Sequence, residues 1–284
     1  MSWRVVIVTR ILPVALGFDA AIREAGHEPV ALLSIRDSEQ RYGPWDLPGL
    51  VEGAPADLDV LLASKRSSLA PLLRPLEPDL VICMGFPWKI PPDALAVPPL
   101  GWLNGHPSLL PAHRGPIPMS WAIRNGDVEA GVSFHFMDAD LDTGPIVVQR
   151  RYPIGEYVEP EEFFGRMGAV VGETLAEALR LIEAGERGTP QGPGGEYESF
   201  FAEEDVWLDR TRSALEMHRL AWAWRYTIAI GTEKGLLVDL GGGQAVRVLE
   251  SSLEEVEGAT RVDCADGPLW LVRTEPVQEA EARP

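Results

Sequence analysis

Short, continuous apolar segments alternate with stretches of helical periodicity in the first part of the chain. The segment 14–25 (VALGFDAAIREA) has helical spacing and ends before Gly26, a residue typical of helix C-termini. Four apolar runs are typical of strands buried on both faces: 4–8 (RVVIV), 27–35 (HEPVALLSI), 79–84 (DLVICM) and 101–104 (GWLN). Strands that alternate with helices predict an α/β fold with a doubly wound, mostly parallel sheet.

The remaining segments before residue 186 complete this first unit. Residues 36–56 are rich in proline, glycine and charge, which predicts a loop, and we expect a helix over 57–73. Segments 131–137 (GVSFHFM) and 146–152 (IVVQRRY) predict two strands that flank a loop. A long amphipathic helix is predicted over 159–185.

A second, smaller unit is predicted beyond a Gly/Pro-rich linker at 186–196 (ERGTPQGPGGE). We therefore divide the chain into a first domain, 1–190, and a C-terminal domain, 191–284. The latter contains a predicted helix at 211–226 and short strands at 236–240, 245–250 and 268–273, with a Gly-Gly-Gly turn at 241–243. This pattern favours a small β-rich, open-barrel-like domain.

Composition narrows the classes of protein. A chain of 284 residues that is 45% hydrophobic can bury two ordinary domain cores. Its net charge of −18 argues against tight binding of nucleic acid, which needs basic surface. No apolar run reaches the roughly 18 residues that would span a membrane, so we expect a cytoplasmic protein with no membrane partner. Cys83 and Cys264 form no CxxC pair, so we expect neither a disulfide framework nor a zinc site.

The polar residues Asn104 and His106 come at the end of the apolar run 101–104. Ligands of open α/β sheets bind beyond the carboxyl ends of the strands. If strand geometry continues through Gly105, both side chains point to the same face. An amide can hold a developing oxyanion and an imidazole can move a proton near neutral pH, so the pair suits acyl transfer.

A carboxylate beside His106 would orient the imidazole and stabilise its protonated form. Asp138, Asp140 and Asp142 lie in the loop after 131–137, and spacing alone leaves the choice among them open. An alternative interpretation is that His106, His113 and Asp142 are the ligands of a metal ion. The two histidines are seven positions apart, with two prolines between them, which is not a ligand spacing that we recognise, so we expect no metal.

At these residues the chain resembles the folate-dependent formyltransferase family. The matching motifs are Asn104-x-His106, Ser108-Leu109-Leu110-Pro111, Arg114-Gly115, the stretch 121–132 (WAIRNGDVEAGV) and Asp142-Thr143-Gly144. The resemblance extends over about residues 3–185 and more loosely over 207–224 (WLDRTRSALEMHRLAWAW). It implies a Rossmann-like formyltransferase domain followed by the family's C-terminal domain.

The resemblance also implies a mechanism of one-carbon metabolism, with 10-formyl-tetrahydrofolate as donor. Asn104 would hold the formyl oxygen, His106 would assist proton movement, and Asp142, which only the family pattern singles out, would orient His106. The resemblance assigns the pterin largely to main-chain groups of two loops, and the acceptor to a third set of residues. The pterin residues are Met84, Gly85, Phe86, Pro87, Trp88, Ile90, Asp138, Ala139 and Asp140, and the acceptor residues are Ser108, Arg114 and Gly115.

The charge of the chain indicates which class of acceptor the protein uses. Relatives that formylate methionyl-tRNA usually carry basic residues in the loop after the second strand and in the C-terminal domain. Here residues 36–46 mix both signs, and residues 191–284 hold 18 acidic and nine basic residues. Such a surface repels nucleic acid, which favours the primary amine of a small molecule, such as an amino sugar nucleotide or a natural-product amine. The alternatives are methionyl-tRNA formylation, hydrolysis of 10-formyl-tetrahydrofolate, and non-catalytic folate binding.

Overall fold

The computed structural model describes residues 1–36, 46–154, 159–229, 235–242 and 244–277. Seven strands form one mixed sheet in the order β3-β2-β1-β4-β5-β6-β7, in which β1 to β5 and β7 run in one direction and β6 runs in the other. These strands are β1 (Arg4–Val8), β2 (Glu28–Ile35), β3 (Asp59–Ala63), β4 (Leu80–Cys83), β5 (Trp102–His106), β6 (Glu129–Phe136) and β7 (Ile146–Pro153). The predicted doubly wound, mostly parallel sheet is confirmed.

Helices cover both faces of this sheet, which explains why its central strands are apolar at consecutive positions. These helices are α1 (Leu12–Glu24), α2 (Leu47–Gly53), α3 (Leu69–Leu73), α4 (Pro92–Leu95), α5 (Pro118–Asn125) and α6 (Pro160–Glu183), whereas α7 (Ala214–Ala229) packs on the C-terminal sheet. In β1, Ile7 belongs to a core with α1 and α6, whereas Val6 and Val8 belong to a core with α3 on the other face. Each such buried side chain contributes roughly 1.5–3 kcal/mol through the hydrophobic effect.

Two predictions in the N-terminal part are wrong. The helix predicted over 57–73 is a strand, β3, followed by a helix of only five residues, α3. Pairing with β2 stabilises β3 as the edge strand, and a tertiary hydrogen-bond ladder outweighs local helical periodicity. The loop predicted at 36–56 contains α2, whose first turn is capped by Asp46 Oδ1, which accepts from Gly49 N at 2.8 Å. Residues 37–45 lie outside the described residues.

The C-terminal sheet has four antiparallel strands in the order β10-β11-β9-β8, and it forms the curled half-barrel that the sequence predicts. These strands are β8 (Leu237–Gly241), β9 (Gln244–Ser252), β10 (Thr260–Asp263) and β11 (Pro268–Pro276). The sequence pattern missed β10, which has only four residues and one buried side chain, Val262. Gly243, the last residue of the predicted triple-glycine turn, lies outside the described residues.

One continuous core joins this sheet to the first domain. Met217 and Leu220 of α7 pack in the same buried cluster as Ile123 of α5 and Phe163 of α6. The contact also includes polar groups, since the hydroxyls of Ser120 and Thr227 lie 2.9 Å apart. The C-terminal helix and sheet therefore share their hydrophobic core with the larger sheet.

Residues 189–199, here called the connecting segment, follow α6 in the chain. They contact the start of β7, the loop between β6 and β7, and the loop after β5. Thr189 and Ile146 exchange two main-chain hydrogen bonds of 2.8 Å, and Glu198 N donates to Arg114 O at 2.8 Å. A side chain on Gly195 would lie 1.6 Å from Pro111 O, so the close approach of the two main chains requires glycine.

Among the described residues, no helix combines the length and the apolar character needed to cross a membrane.

Candidate active site

The fifth strand carries Asn104 and His106 to the carboxyl edge of the sheet. Strand geometry continues through Gly105 to His106, which is the condition for a shared face, and all five residues of β5 are buried. The two polar side chains therefore lie on the same face, two positions apart. Met84, at the end of β4, packs closely over Gly105, where an added Cβ would lie 3.3 Å from its sulfur.

Hydrogen bonding defines the tautomer of His106. Its Nε2 lies 2.9 Å from the carbonyl oxygen of His113. A carbonyl can only accept, so Nε2 carries a hydrogen and donates it. In the neutral ring Nδ1 is then the basic nitrogen, and it faces Asp142 Oδ1 at 3.7 Å. This distance exceeds a hydrogen bond, but it places a carboxylate beside the charge that protonation of Nδ1 would create.

The loop between β6 and β7 brings one of its three aspartates to this ring. Asp142 adopts a left-handed conformation with φ of 58°, which aspartate tolerates better than most residues. Its Oδ2 accepts a hydrogen bond of 3.1 Å from Gly115 N, and its side chain is 15% exposed. Asp138 Oδ1 instead accepts from Thr143 Oγ1 at 2.6 Å, and Asp140 pairs with Lys89 at 3.2 Å. Geometry thus singles out Asp142.

Gly144 shapes the same loop by its lack of a side chain. A Cβ at this position would lie 1.9 Å from Phe136 O, the main chain at the end of β6. The carbonyls of Asp142 and Gly144 both accept from Gln191 Nε2 of the connecting segment, at 2.9 and 2.8 Å. The loop is therefore pressed against the sheet from one side and held by the connecting segment from another.

A second histidine, His135, completes the polar cluster, and the sequence analysis missed it. His135 pairs with Asn104 in the antiparallel register of β5 and β6. Its Nδ1 lies 3.0 Å from Phe136 O and its Nε2 lies 3.1 Å from Asn104 Nδ2. Its Nδ1 therefore carries the hydrogen, and Nε2 accepts from the amide. The signal available in the sequence was the alternation of Ser133 and His135 within an otherwise apolar strand.

Burial keeps His135 uncharged. Desolvation, assisted by repulsion from His106, lowers the pKa of His135 from its ordinary value of 6.5 to about 4. Asp142 Oδ1 lies 3.9 Å from its Nε2 and opposes this shift without reversing it. A neutral His135 fixes the Asn104 amide with its NH₂ group toward the ring, which leaves the second N–H of Asn104 available to a ligand.

The two loops to which the resemblance assigns the pterin, one after β4 and one between β6 and β7, lie beside each other. The first holds Met84, Gly85, Phe86, Pro87, Trp88 and Ile90, and the second Asp138, Ala139 and Asp140. The ion pair of Lys89 with Asp140 joins them. Phe86 and Trp88 are partly buried and pack edge to face with ring centroids 5.6 Å apart. Their role in binding stays a prediction.

The three residues assigned to the acceptor side have internal partners. Ser108 Oγ is buried and donates to Ala112 O at 2.7 Å, and Gly115 N donates to Asp142. The Arg114 guanidinium donates to Gln191 Oε1 at 2.7 Å and to Gly195 O at 3.1 Å. Gly115 therefore holds Asp142 directly and Arg114 does so through Gln191, and contact with an acceptor stays a prediction for all three residues.

Comparison with known proteins agrees with this geometry. A family model described as formyl transferase matches residues 62–179. The methionyl-tRNA formyltransferase of Pelobacter propionicus is 34% identical over 266 residues, which cover 88% of this chain and 82% of that protein. Against the methionyl-tRNA formyltransferase of Synechococcus sp. strain CC9311, 31% identical, the match covers 72% of this chain and 65% of that protein's length.

Solved structures share the fold. HypX from Aquifex aeolicus, crystallised with tetrahydrofolic acid, superposes with a TM-score of 0.68 at 18% identity, over 98% of this chain and 45% of that chain. A sugar N-formyltransferase from Shewanella sp. FDAARGOS_354 superposes with the same TM-score and identity, over 90% of this chain and 99% of that chain. Taken with the extent of the sequence match, these findings place the chain in the formyltransferase family of enzymes.

Proposed function

We propose that this protein transfers a formyl group from 10-formyl-tetrahydrofolate to the primary amine of a small molecule. The observation that carries the proposal is the convergence of Asn104, His106 and Asp142 at one edge of the sheet, with His106 Nδ1 directed at the carboxylate 3.7 Å away. An amide donor, a basic nitrogen and a stabilising carboxylate are the groups that acyl transfer to an amine requires.

The folate donor is supported by the residues of the two pterin loops. Phe86 and Trp88 offer partly buried aromatic surface, and the neighbouring Asp138 loop offers main-chain donors and acceptors. An apolar wall with a few directed polar groups suits a flat heteroaromatic ring. The bound donor would supply the formyl group. HypX, whose structure contains tetrahydrofolic acid, has the same fold.

The roles of the polar residues follow from their hydrogen bonds. Asn104 uses the N–H that His135 does not engage to stabilise negative charge on the formyl oxygen. His106 accepts the proton of the attacking amine at Nδ1, because Nε2 already donates to His113 O, and passes it to the folate nitrogen as the bond from that nitrogen to the formyl carbon breaks. Asp142, only 15% exposed, stabilises the resulting imidazolium in an environment where solvent screens it weakly.

A small acceptor is favoured by charge. The whole chain carries −18, and residues 191–284 carry 18 acidic against nine basic residues. Lys and Arg side chains bind phosphate backbones and displace the condensed counterions, and residues 191–284, a third of the chain, hold few of these side chains. A sugar N-formyltransferase is among the proteins with the same fold. Methionyl-tRNA is the second candidate acceptor, because two relatives whose matches cover more than 80% of both chains carry that name.

The test is an acceptor panel. Purified protein and 10-formyl-tetrahydrofolate are incubated with amino sugar nucleotides, small natural-product amines or methionyl-tRNA, and mass spectrometry detects the added formyl group. We expect formylation of a small amine and none of methionyl-tRNA. Formylation of methionyl-tRNA alone would contradict the proposed acceptor while leaving the reaction type intact.

The same assay separates the remaining alternatives. Loss of 10-formyl-tetrahydrofolate at an equal rate with and without any amine would indicate a hydrolase. Tight binding of the folate with no loss under any condition would indicate a non-catalytic folate-binding protein. Replacement of Asn104 by Ala supplies the control, since transfer that depends on this site must fall in that variant.

A further inference from the structure

Three consecutive residues, 113–115, hold both His106 and Asp142 through main-chain atoms. The carbonyl of His113 accepts from His106 Nε2 at 2.9 Å, and the amide of Gly115 donates to Asp142 Oδ2 at 3.1 Å. The relative placement of the imidazole and the carboxylate therefore depends on the position of this short main-chain segment. What holds the segment determines the geometry of the pair.

The side chain of His113 joins two separate elements to this segment. Its Nδ1 lies 2.7 Å from Glu198 Oε2, in the connecting segment, and its Nε2 lies 2.8 Å from Asp127 Oδ2, in the turn between α5 and β6. The His113 main chain has a φ of 55°, an unfavourable region for histidine that surrounding contacts must maintain. The His113 side chain is 11% exposed, so solvent screens these contacts only in part.

Both carboxylates can only accept hydrogen bonds, so both ring nitrogens of His113 must carry hydrogens. Burial alone would lower the pKa of His113, but the hydrogen bonds and charges of Asp127 and Glu198 outweigh it and raise the pKa. These two carboxylates are the charged groups that face the His113 ring from the elements packed against it. His113 is thus a cation between two anions.

We propose that His113 is a positioning residue, whose imidazolium, held between Asp127 and Glu198, fixes the 113–115 main chain that orients His106 and Asp142. This inference rests on the proposed function of His106 and Asp142. It also gives the connecting segment a role, because Glu198 and Gln191 both belong to it and Gln191 holds the carbonyl of Asp142. The connecting segment therefore helps to hold His106 and Asp142 in place.

The first test is independent of catalysis. Nitrogen-15 NMR of the histidine side chains in the full-length protein reports the tautomer of His106 and the protonation of His113. We expect His106 in the Nε2–H form and His113 titrating above 6.5. In Glu198→Gln the pKa of His113 should fall by about one unit, since one opposite charge is lost. In His113→Phe the Nε2–H preference of His106 should weaken.

The second test uses kinetics with matched variants. Glu198→Gln should lower kcat about 10-fold, and His113→Phe by roughly 10–100-fold, with KM for the folate donor changed less than about 2-fold, because misplacement of a reacting group slows the chemical step. Glu196→Gln is the control. It removes the same charge from an exposed side chain of the same segment, and should keep kcat within about 2-fold, because surface charges in water act weakly.

The outcomes distinguish this inference from the proposed function. If the wild-type protein formylates an amine while Glu198→Gln and His113→Phe keep both its kcat and the His106 tautomer, the positioning role is wrong and the function stands. If the wild-type protein formylates nothing, the proposed function is wrong. The NMR signals of His106 then still decide whether His113 controls it. Should His113→Phe fail to fold, Glu198→Gln carries both measurements.

Discussion

At the scale of single residues, the candidate site depends on two histidines with opposite tautomers. His106 carries its hydrogen on Nε2 and His135 carries its hydrogen on Nδ1, because each of these atoms faces a main-chain carbonyl. The remaining nitrogen of each ring then has a defined partner: Asp142 for His106 and Asn104 for His135. Two carbonyl oxygens thus determine where the base and the amide donor point.

Removal of the amide should nearly abolish turnover. We expect Asn104→Ala to lower kcat by about 10²–10³, because an oxyanion donor acts chiefly in the transition state. Asn125→Ala is the matched control, since Asn125 is exposed at the end of α5. Steady-state assays of formyl transfer would measure both variants, and a wild-type kcat in Asn104→Ala would remove Asn104 from the mechanism.

His135 should affect the rate through Asn104. A phenylalanine at 135 cannot accept from Asn104 Nδ2, so we expect His135→Phe to lower kcat about 10-fold, in line with the cost of a misplaced group. His135→Gln restores an acceptor oxygen near the position of Nε2 and should recover much of the loss. Equal kcat values for the two variants would show that the acceptor has no role in orienting the amide.

At the scale of elements, the hairpin of β6 and β7 delivers two functional groups. The strand β6 places His135 opposite Asn104, and the loop after it places Asp142 beside His106. The loop can turn this tightly only because Gly144 allows contact with the main chain at Phe136. The hairpin thus links the shape of a turn to the position of a carboxylate.

Gly144→Ala should damage both stability and rate. Its Cβ would lie 1.9 Å from Phe136 O, so the loop must shift, which costs about 1–3 kcal/mol in the free energy of unfolding and displaces Asp142. Gly165→Ala in α6 is the control. No atom lies within 4 Å of its added Cβ, and helix propensity predicts a gain of about 0.5–1 kcal/mol. Guanidinium denaturation of both variants would reveal the opposite signs.

At the scale of the whole molecule, buried neutral histidines should make the protein acid-sensitive. Desolvation lowers the pKa of both His135 and His218 to about 4. The unfolded chain binds these protons near pH 6.5, before the folded protein does, so the free energy of unfolding falls between about pH 6.5 and pH 4. His113, whose pKa is raised, acts in the opposite direction but above pH 6.5, because below that pH the folded and the unfolded chain both hold its proton.

A single substitution isolates one of these contributions. In His135→Gln the decrease in unfolding free energy between pH 7 and pH 5 should be smaller than in the wild type by roughly 2 kcal/mol, since the titrating group is gone. Chemical denaturation at the two pH values measures the difference within each protein, so any pH-independent effect of the substitution cancels. An unchanged decrease would mean that His135 is protonated in the folded protein.

The sequence by itself determined the elements that depend on local pattern. Continuous apolar runs predicted β1, β2, β4 and β5 because strands covered on both faces need no polar positions. The spacing of Asn104 and His106 predicted a shared face because strands repeat every two residues. Short apolar runs also predicted the C-terminal strands β8, β9 and β11, whereas β10 was missed.

Only the tertiary structure decided the features that depend on segments far apart in sequence. The strand β3 required its ladder with β2, whose stabilisation outweighs local helical periodicity. His135 became a partner of Asn104 through the register of β6, 31 positions away. The proximity of Asp142 to His106 depends on a glycine turn and on the connecting segment. Periodicity reports which face a side chain occupies, whereas contacts across the sheet arise from chain folding, which no local pattern encodes.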